Sequence, residues 1–214
     1  MVDTQLLRRG VYDGRVLEAM RETPREAFVP EPLKSRAYDD GPLPIEAGQT
    51  ISQPYVVALM IEAAELTADD RVLEIGAGSG YAAAVMSRMA AQVYAIERHK
   101  ELAESAAARL RGLGYDNVDL RAGDGTHGWP ERAPFDAIVA SAGAPAIPHA
   151  LREQLDIGGR LVMPVGDTPR LQTLLKVRRT SATTFAEEDL GAVAFVPMIG
   201  AHGWTEEDDL RGRR

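Results

Sequence analysis

The segment Arg71-Val-Leu-Glu-Ile-Gly-Ala-Gly-Ser-Gly-Tyr81 carries the strongest structural signal in this 214-residue chain. Its first half is an apolar run with β-branched residues, which predicts a buried strand. The run ends in three glycines, and an alanine-rich, helix-prone stretch follows from Tyr81. A strand, a glycine turn and a helix in this order bring backbone N–H groups close to a nucleotide at the helix N-terminus. The segment therefore indicates an α/β protein that binds a nucleotide-like ligand.

The spacing of the glycines narrows the class of ligand. The dinucleotide fingerprint places its glycines as G-x-G-x-x-G, whereas here they run G-x-G-x-G and Tyr81 occupies the position of the last glycine. Glu74 stands two residues before Gly76. An acidic residue followed by G-x-G-x-G resembles the first motif of the S-adenosylmethionine-dependent methyltransferases. The loop alone leaves a nicotinamide-dependent oxidoreductase open as an alternative.

Composition limits the partners and the chemistry. The chain has a formal net charge of −8 and no cysteine, which excludes disulfides and a cysteine nucleophile and argues against non-specific binding of nucleic acid. The four histidines are scattered without metal-ligand spacing, so we expect no metal site. Because the sequence shows no long apolar span and no signal segment, we expect a cytoplasmic protein without a membrane partner.

Strand and helix patterns alternate from Arg71 onward, which implies a mostly parallel, Rossmann-like sheet with helices on both faces. Towards the C-terminus, predicted strands follow one another directly, so antiparallel edge strands are expected to complete the sheet. The predicted strands are 71–75, 92–97, 117–121, 135–140, 159–165, 170–178 and 192–196, and the predicted helices are 80–89, 99–112 and 147–154.

The chain length suits a single domain over residues 1–214. Within it, residues 1–50 are expected to form a helical and irregular cap, because prolines repeatedly interrupt regular structure there. Residues 51–214 are expected to form the Rossmann-like core, which starts with a largely buried helix from Pro54.

Three further features lie at the predicted carboxyl edge of the sheet. Glu97 ends the second strand, where a carboxylate can accept both ribose hydroxyls of an adenosine; a solvated charge paired with Arg98 or Lys100 is the alternative. Asp124, within Gly-Asp-Gly, can take an adenine amino group or simply form a turn. The strand 135–140 runs into small residues, which either leave room for a ligand or pack closely.

Ser52, within Gly48-Gln-Thr-Ile-Ser-Gln-Pro54, admits two interpretations. Physical chemistry alone favours a helix cap, because Ser is a preferred capping residue and Pro54 begins the helix. The functional interpretation depends on a family resemblance that extends over nearly the whole chain.

Several segments, in family order, resemble the protein-L-isoaspartate O-methyltransferases. The Thr-Ile-Ser-Gln-Pro sequence is more specific than the glycine loop, because other methyltransferases lack it. The resemblance is carried by residues 49–55, 74–80, Gly123-Asp-Gly125 with Gly128-Trp-Pro130, and 155–166, and further by 24–30, 37–40 and 195–197. Residues 202–214 match nothing in the family.

The resemblance implies the activity and the site. It implies methyl transfer from S-adenosylmethionine to the α-carboxylate of L-isoaspartyl residues in damaged proteins and peptides, which starts their repair through a succinimide. It places Ser52 at the reaction centre. Separately from the resemblance, we expect a monomer. The implied cofactor-binding residues are Gln49, Thr50, Ser52, Glu74, Gly76, Gly78, Gly80, Glu97, Asp124 and Gly125, and the implied substrate-binding residues are Ser52, Pro54, Val196 and Pro197.

Two other interpretations stay open beside the oxidoreductase. The first is a methyltransferase of the same fold that acts on an unmodified aspartate in a dedicated peptide. The second is a non-catalytic binding module on a methyltransferase scaffold, which the intact cofactor motifs disfavour.

Overall fold

The computed structural model describes residues 1–168 and 171–212, with side chains up to Leu210. Its centre is a seven-stranded sheet, and a small two-stranded sheet precedes it. The small sheet consists of β1 (Leu43–Pro44) and β2 (Thr50–Ile51). The large sheet consists of β3 (Arg71–Ile75), β4 (Gln92–Glu97), β5 (Val118–Ala122), β6 (Phe135–Ala140), β7 (Leu155–Thr168), β8 (Leu171–Arg179) and β9 (Phe185–Val193).

The large sheet has the order β5-β4-β3-β6-β7-β8-β9. Strands β3 to β7 pair in parallel, and β8 and β9 add antiparallel edge strands. The predicted fold class, a mostly parallel sheet with antiparallel C-terminal edge strands, is therefore confirmed. The chain leaves β5 at one edge and returns as β6 on the other side of β3. Such a switch in strand order opens a crevice at the carboxyl ends of the strands, where ligands bind in this class of fold.

Six α-helices accompany the sheets in the described residues. A π-helix at Val2–Leu6 and a 3₁₀ helix at Leu7–Arg9 precede the first α-helix. The α-helices are α1 (Gly14–Glu22), α2 (Pro54–Ala63), α3 (Tyr81–Ser87), α4 (Lys100–Gly112), α5 (His149–Glu153) and α6 (Glu206–Gly212).

Alternating residues of β3 contribute to two hydrophobic clusters, one on each face of the sheet. Val72 belongs to the cluster that contains α2, α3 and much of the N-terminal segment. Leu73 and Ile75 belong to the opposite cluster, with Leu151 of α5. The N-terminal elements therefore form a layer over one face of the sheet and share its core. The boundary between cap and core near residue 50 stays a prediction.

The predicted strand 192–196 is wrong, because the last strand is β9, at Phe185–Val193. β9 is an edge strand whose residues are mostly exposed, so it lacks the apolar run that marks a buried strand. The predicted strand 170–178 starts at a position outside the described residues, and its remainder belongs to β8.

Residues 194–197, which follow β9, are held by contacts outside the sheet. Gly143 donates its N–H to the carbonyl of Val196, and the side-chain amide of Gln172 pairs with Phe195. Helix α6 has no counterpart among the predicted elements. Within the described ranges, no helix has both the length and the apolar composition needed to cross a bilayer.

Candidate active site

A cavity of about 300 Å³ lies at the carboxyl ends of β3, β4 and β6. It is the crevice that the change in strand order creates. The predicted site residues that line it are Gln49, Thr50, Ser52, Glu74, Gly76, Gly78, Glu97, Gly125, Val196 and Pro197. The tertiary structure thus brings site residues from separate parts of the chain together around this cavity.

The glycine loop shapes one side of this cavity. Gly76 and Gly78 have positive φ angles of 81° and 55°, a region that residues with a Cβ rarely adopt. Gly80 also has a positive φ angle, of 88°, and it precedes α3, where a Cβ would come within 3.1 Å of Leu110. It lets the helix pack closely and does not line the cavity.

Glu97 is held rigidly at the end of β4. It is 5% exposed, and its Oε2 accepts the N–H of Gly78 at 2.9 Å, while Oε1 accepts the N–H of His99 at 2.9 Å. Its predicted alternative, an ion pair with Arg98 or Lys100, is not formed: Arg98 pairs with Glu206, and Lys100 pairs with Glu104. Each carboxylate oxygen can accept a second hydrogen bond, so Glu97 is able to receive ribose hydroxyls.

Gln49 reaches the same end of the cavity. Its side-chain amide nitrogen lies 3.3 Å from Nε2 of His99, the same residue whose backbone N–H binds Glu97. The segment before Ser52 and the end of β4 therefore meet at the predicted ribose position.

Glu74 is a buried carboxyl group in the cavity wall. Neither of its oxygens has a hydrogen-bond partner within the described part of the chain. Burial, together with the nearby charge of Glu97, holds its pKa well above the usual range. A buried carboxyl without a partner is costly and suits a cavity that receives a cationic ligand. S-adenosylmethionine, which carries a sulfonium and an ammonium, fits this wall.

Asp124 makes its contacts away from the cavity. Its carboxylate accepts hydrogen bonds from the N–H and hydroxyl of Thr126 and from the N–H of Ala201. Burial raises its pKa, but these hydrogen bonds outweigh burial and lower it overall. The neighbouring Gly125 lines the cavity, and a Cβ there would lie 2.4 Å from Ile75. Asp124 thus fastens the segment around Ala201, and its contact with the adenine stays a prediction.

A second cavity of about 820 Å³ adjoins the first. The residues that line both cavities mark the place where two bound reactants would meet: Gly48, Thr50, Ser52, Ser141, Val196, Pro197 and Asp209. Pro54, a predicted substrate residue, is buried as the first residue of α2 and lines neither cavity, whereas Tyr55 lines the larger one.

Ser52 does not cap α2. The residue at the cap position is Gln53, and its side chain makes no capping hydrogen bond. The Ser52 hydroxyl has no protein partner among the residues that the structure describes. It lies at the junction of the two cavities, so it is available to a ligand there.

Sequence reasoning missed the contribution of α6. Glu206 lines the smaller cavity, and Asp209 lines both. The pairing of Glu206 with Arg98 holds α6 beside the end of β4. A run of acidic residues near a terminus has no amphipathic pattern, so this placement could not be found without the fold. Over the described ranges, no group of three or more His, Asp or Glu side chains could hold a metal ion.

Comparison with known proteins identifies the family. The family model "Protein-L-isoaspartate(D-aspartate) O-methyltransferase (PCMT)" matches residues 1–203. The chain belongs to this family. It is 58% identical over 204 residues to protein-L-isoaspartate O-methyltransferase 2 of Pelobacter propionicus, covering 95% of this chain and 91% of that protein. It is 60% identical over 207 residues to protein-L-isoaspartate O-methyltransferase of Roseiflexus castenholzii, covering 97% and 94%.

Solved structures agree with the family assignment. A protein-L-isoaspartate O-methyltransferase structure matches with a TM-score of 0.85 at 33% identity, covering 95% of this chain and 67% of the other. A Plasmodium falciparum protein crystallised with S-adenosyl-L-homocysteine matches with a TM-score of 0.80 at 26% identity, covering 92% and 96%. Helix α6 lies beyond the family match, which ends at residue 203.

Proposed function

We propose that this protein transfers the methyl group of S-adenosylmethionine to the α-carboxylate of L-isoaspartyl residues in damaged proteins and peptides. The single observation that carries the proposal is the junction of two cavities at Ser52 in a member of the isoaspartate methyltransferase family. The smaller cavity, with the glycine loop, Glu74 and Glu97, suits the cofactor. The larger one has room for a peptide.

The acceptor needs no strong general base. A peptide carboxylate with a pKa near 4 is already ionised at neutral pH, so its oxygen is a ready nucleophile. When bound, S-adenosylmethionine supplies an electrophilic methyl group on a positively charged sulfur. The protein must therefore align the acceptor, and alignment of two bound reactants can supply about 7–11 kcal/mol.

Ser52 is the residue we assign to this alignment. Its hydroxyl, at the junction, donates a hydrogen bond to one acceptor oxygen and leaves the other directed towards the cofactor cavity. Glu97 would accept the ribose hydroxyls of the bound cofactor, and Glu74 would favour its cationic part. Val196 and Pro197 line the peptide side. The methyl ester carries a better leaving group than the free acid, so it closes to a succinimide, whose hydrolysis returns some normal aspartyl bonds.

The finer features of the proposal are a single domain, a monomeric state and a cytoplasmic location, without nucleic-acid or membrane partners. The net charge of −8 supports the absence of nucleic acid, because phosphate-rich polymers are bound mainly by basic surfaces. Sedimentation and cell fractionation test the oligomeric state and the location.

One experiment tests the function directly. Labelled S-adenosylmethionine is incubated with the enzyme and either an isoaspartyl peptide or its aspartyl twin, and methyl ester formation is measured. Strong selectivity for the isoaspartyl peptide is expected. Preference for the aspartyl twin would indicate a dedicated peptide substrate, and a thermal shift with NAD but not with S-adenosylmethionine would indicate an oxidoreductase.

A further inference from the structure

We infer that Arg25 is a positioning residue for methyl transfer, because its buried guanidinium holds the main chain of Ser52 in place; this inference rests on the proposed function. Arg25 begins a 3₁₀ turn, Arg25–Phe28, in the N-terminal layer. Its side chain reaches the connection between β2 and α2, which contains Ser52 and Gln53. Nothing in the sequence pattern of residues 24–30 predicts this contact.

The contacts of Arg25 are short and directional. Its Nη2 donates a hydrogen bond to the carbonyl oxygen of Ser52 at 2.7 Å, and its Nε donates one to the carbonyl oxygen of Ala37 at 2.7 Å. The planar fork of a guanidinium fixes both directions at once. The Ser52 hydroxyl has no protein partner of its own within the described ranges, so its direction depends on the main chain that Arg25 holds.

Arg25 also joins the two sides of the site. The centre of its guanidinium lies 4.7 Å from the ring centroid of Tyr81, the first residue of α3 after the glycine loop. Tyr81 lines the cofactor cavity, whereas Ser52 lies at the junction with the peptide cavity. One side chain therefore contacts both the acceptor segment and the cofactor segment, and it can set the distance between them.

The environment of Arg25 is unusual for a purely structural residue. It is 0% exposed, and no ion pair joins it to a carboxylate within residues 1–168 and 171–210. Its Nη1 is buried without a hydrogen-bond partner, and burial lowers its pKa. A buried cation without a counter-ion destabilises the fold. An apolar side chain of similar size would fill the same space, so the guanidinium is better explained by what it holds.

A double-mutant cycle tests the inference. The turnover number is measured at saturating S-adenosylmethionine and isoaspartyl peptide for the wild type, Arg25→Met, Ser52→Ala and the double variant. If Arg25 acts by aiming the Ser52 hydroxyl, Arg25→Met alone lowers kcat by about tenfold or more, because a small misplacement of reacting groups is costly. Added to Ser52→Ala, the same change lowers kcat by less than about twofold. Cofactor affinity changes little in either case.

Thr23→Val is the matched control. Thr23 is buried in the same layer and donates its hydroxyl to the carbonyl of Ala19, but it has no contact with Ser52. We expect this variant to lose thermal stability and to keep its kcat. Arg25→Lys should restore only part of the activity, because an ammonium cannot reproduce the fork.

Two results would overturn the inference. In the first, Arg25→Met lowers kcat by the same factor in the wild type and in the Ser52→Ala background. In the second, Thr23→Val lowers kcat as much as Arg25→Met does when the two variants lose the same amount of thermal stability. If the wild type fails to methylate the isoaspartyl peptide, the proposed function fails, and the positioning role is tested without substrate. Crystal structures of the wild type and Arg25→Met are then compared, and a shift of Ser52 Oγ below about 0.5 Å refutes it.

Discussion

Replacing Glu97 by alanine should strongly weaken cofactor binding. Its carboxylate is 5% exposed and is held from both sides by the N–H groups of Gly78 and His99. It therefore presents a fixed, charged acceptor to the ribose. Loss of a hydrogen bond to a charged group costs about 1.5–3 kcal/mol, which corresponds to a roughly 10- to 150-fold higher Kd.

The structure adds a second consequence. In Glu97→Ala the N–H groups of Gly78 and His99 lose their partner, and a buried donor left alone costs about 1–3 kcal/mol. Because both N–H groups border an open cavity, water can replace part of the loss. The variant should therefore fold with a lower Tm. The glycine loop should also be less ordered before the cofactor binds.

Isothermal titration calorimetry with S-adenosylmethionine and with S-adenosylhomocysteine measures the effect. Both ligands carry the same ribose, so both should bind more weakly by a similar factor. Glu101→Ala is the matched control, because Glu101 is an exposed acid in the first turn of α4 and lines neither cavity. An unchanged Kd in a folded Glu97→Ala protein would refute the ribose assignment and leave Glu97 as a loop anchor.

Other parts of the site give three more predictions. Ser52→Ala should lower kcat by more than about tenfold and leave cofactor affinity nearly unchanged. Tm should also change little, because the hydroxyl does not cap α2. A normal kcat with a reduced Tm, measured on the same preparation, would contradict this prediction. The pKa of Glu74 is raised in the folded protein. The contribution of Glu74 to stability is therefore fully present below its unfolded pKa near 4.3 and is lost as pH rises through the folded pKa. Glu74→Gln should thus raise Tm more at pH 8 than at pH 5, and an equal change in Tm at the two pH values would count against a buried acid. Gln172→Leu removes both side-chain hydrogen bonds to Phe195. The peptide KM should therefore rise about five- to tenfold, while the Kd of S-adenosylmethionine stays constant. If the peptide KM and the cofactor Kd rise by the same factor, a specific effect on the peptide cavity is excluded.

The central strands could be predicted from the sequence because their signal is local. β3, β4 and β6 are largely buried, so they appear as mainly apolar runs. β3 is followed by Gly76, β4 ends at Glu97, and β6 runs into small residues. Their bounds agree with the predicted ranges 71–75, 92–97 and 135–140. The glycine loop is local too, because backbone freedom is a property of single residues. The family resemblance added Ser52, which physical reasoning alone assigned to a helix cap.

The position of the last edge strand, β9, and the C-terminal helix could not be predicted in this way. β9 is exposed, so its hydrogen bonds to β8 form it, and no pattern of burial marks it. α6 is acidic and beyond the family match, and its position beside the cofactor cavity depends on Arg98, which is 108 residues away from Glu206 in the chain. The hydrophobic periodicity of a segment does not predict contacts with residues so far away in the sequence.

The sequence by itself determined the fold class, the family and the chemistry of the ligand. The signals for these are local, because hydrophobic patterns, glycine spacing and specific motifs each lie within a short stretch of the chain. Only the tertiary structure decided what each side chain does. It placed Asp124 on Ala201, left the Ser52 hydroxyl without a protein partner among the described residues, and put the guanidinium of Arg25 on the Ser52 carbonyl. The physical reason is that a hydrogen bond depends on distances of about 3 Å between atoms, and such distances across separate segments exist only once the chain has packed.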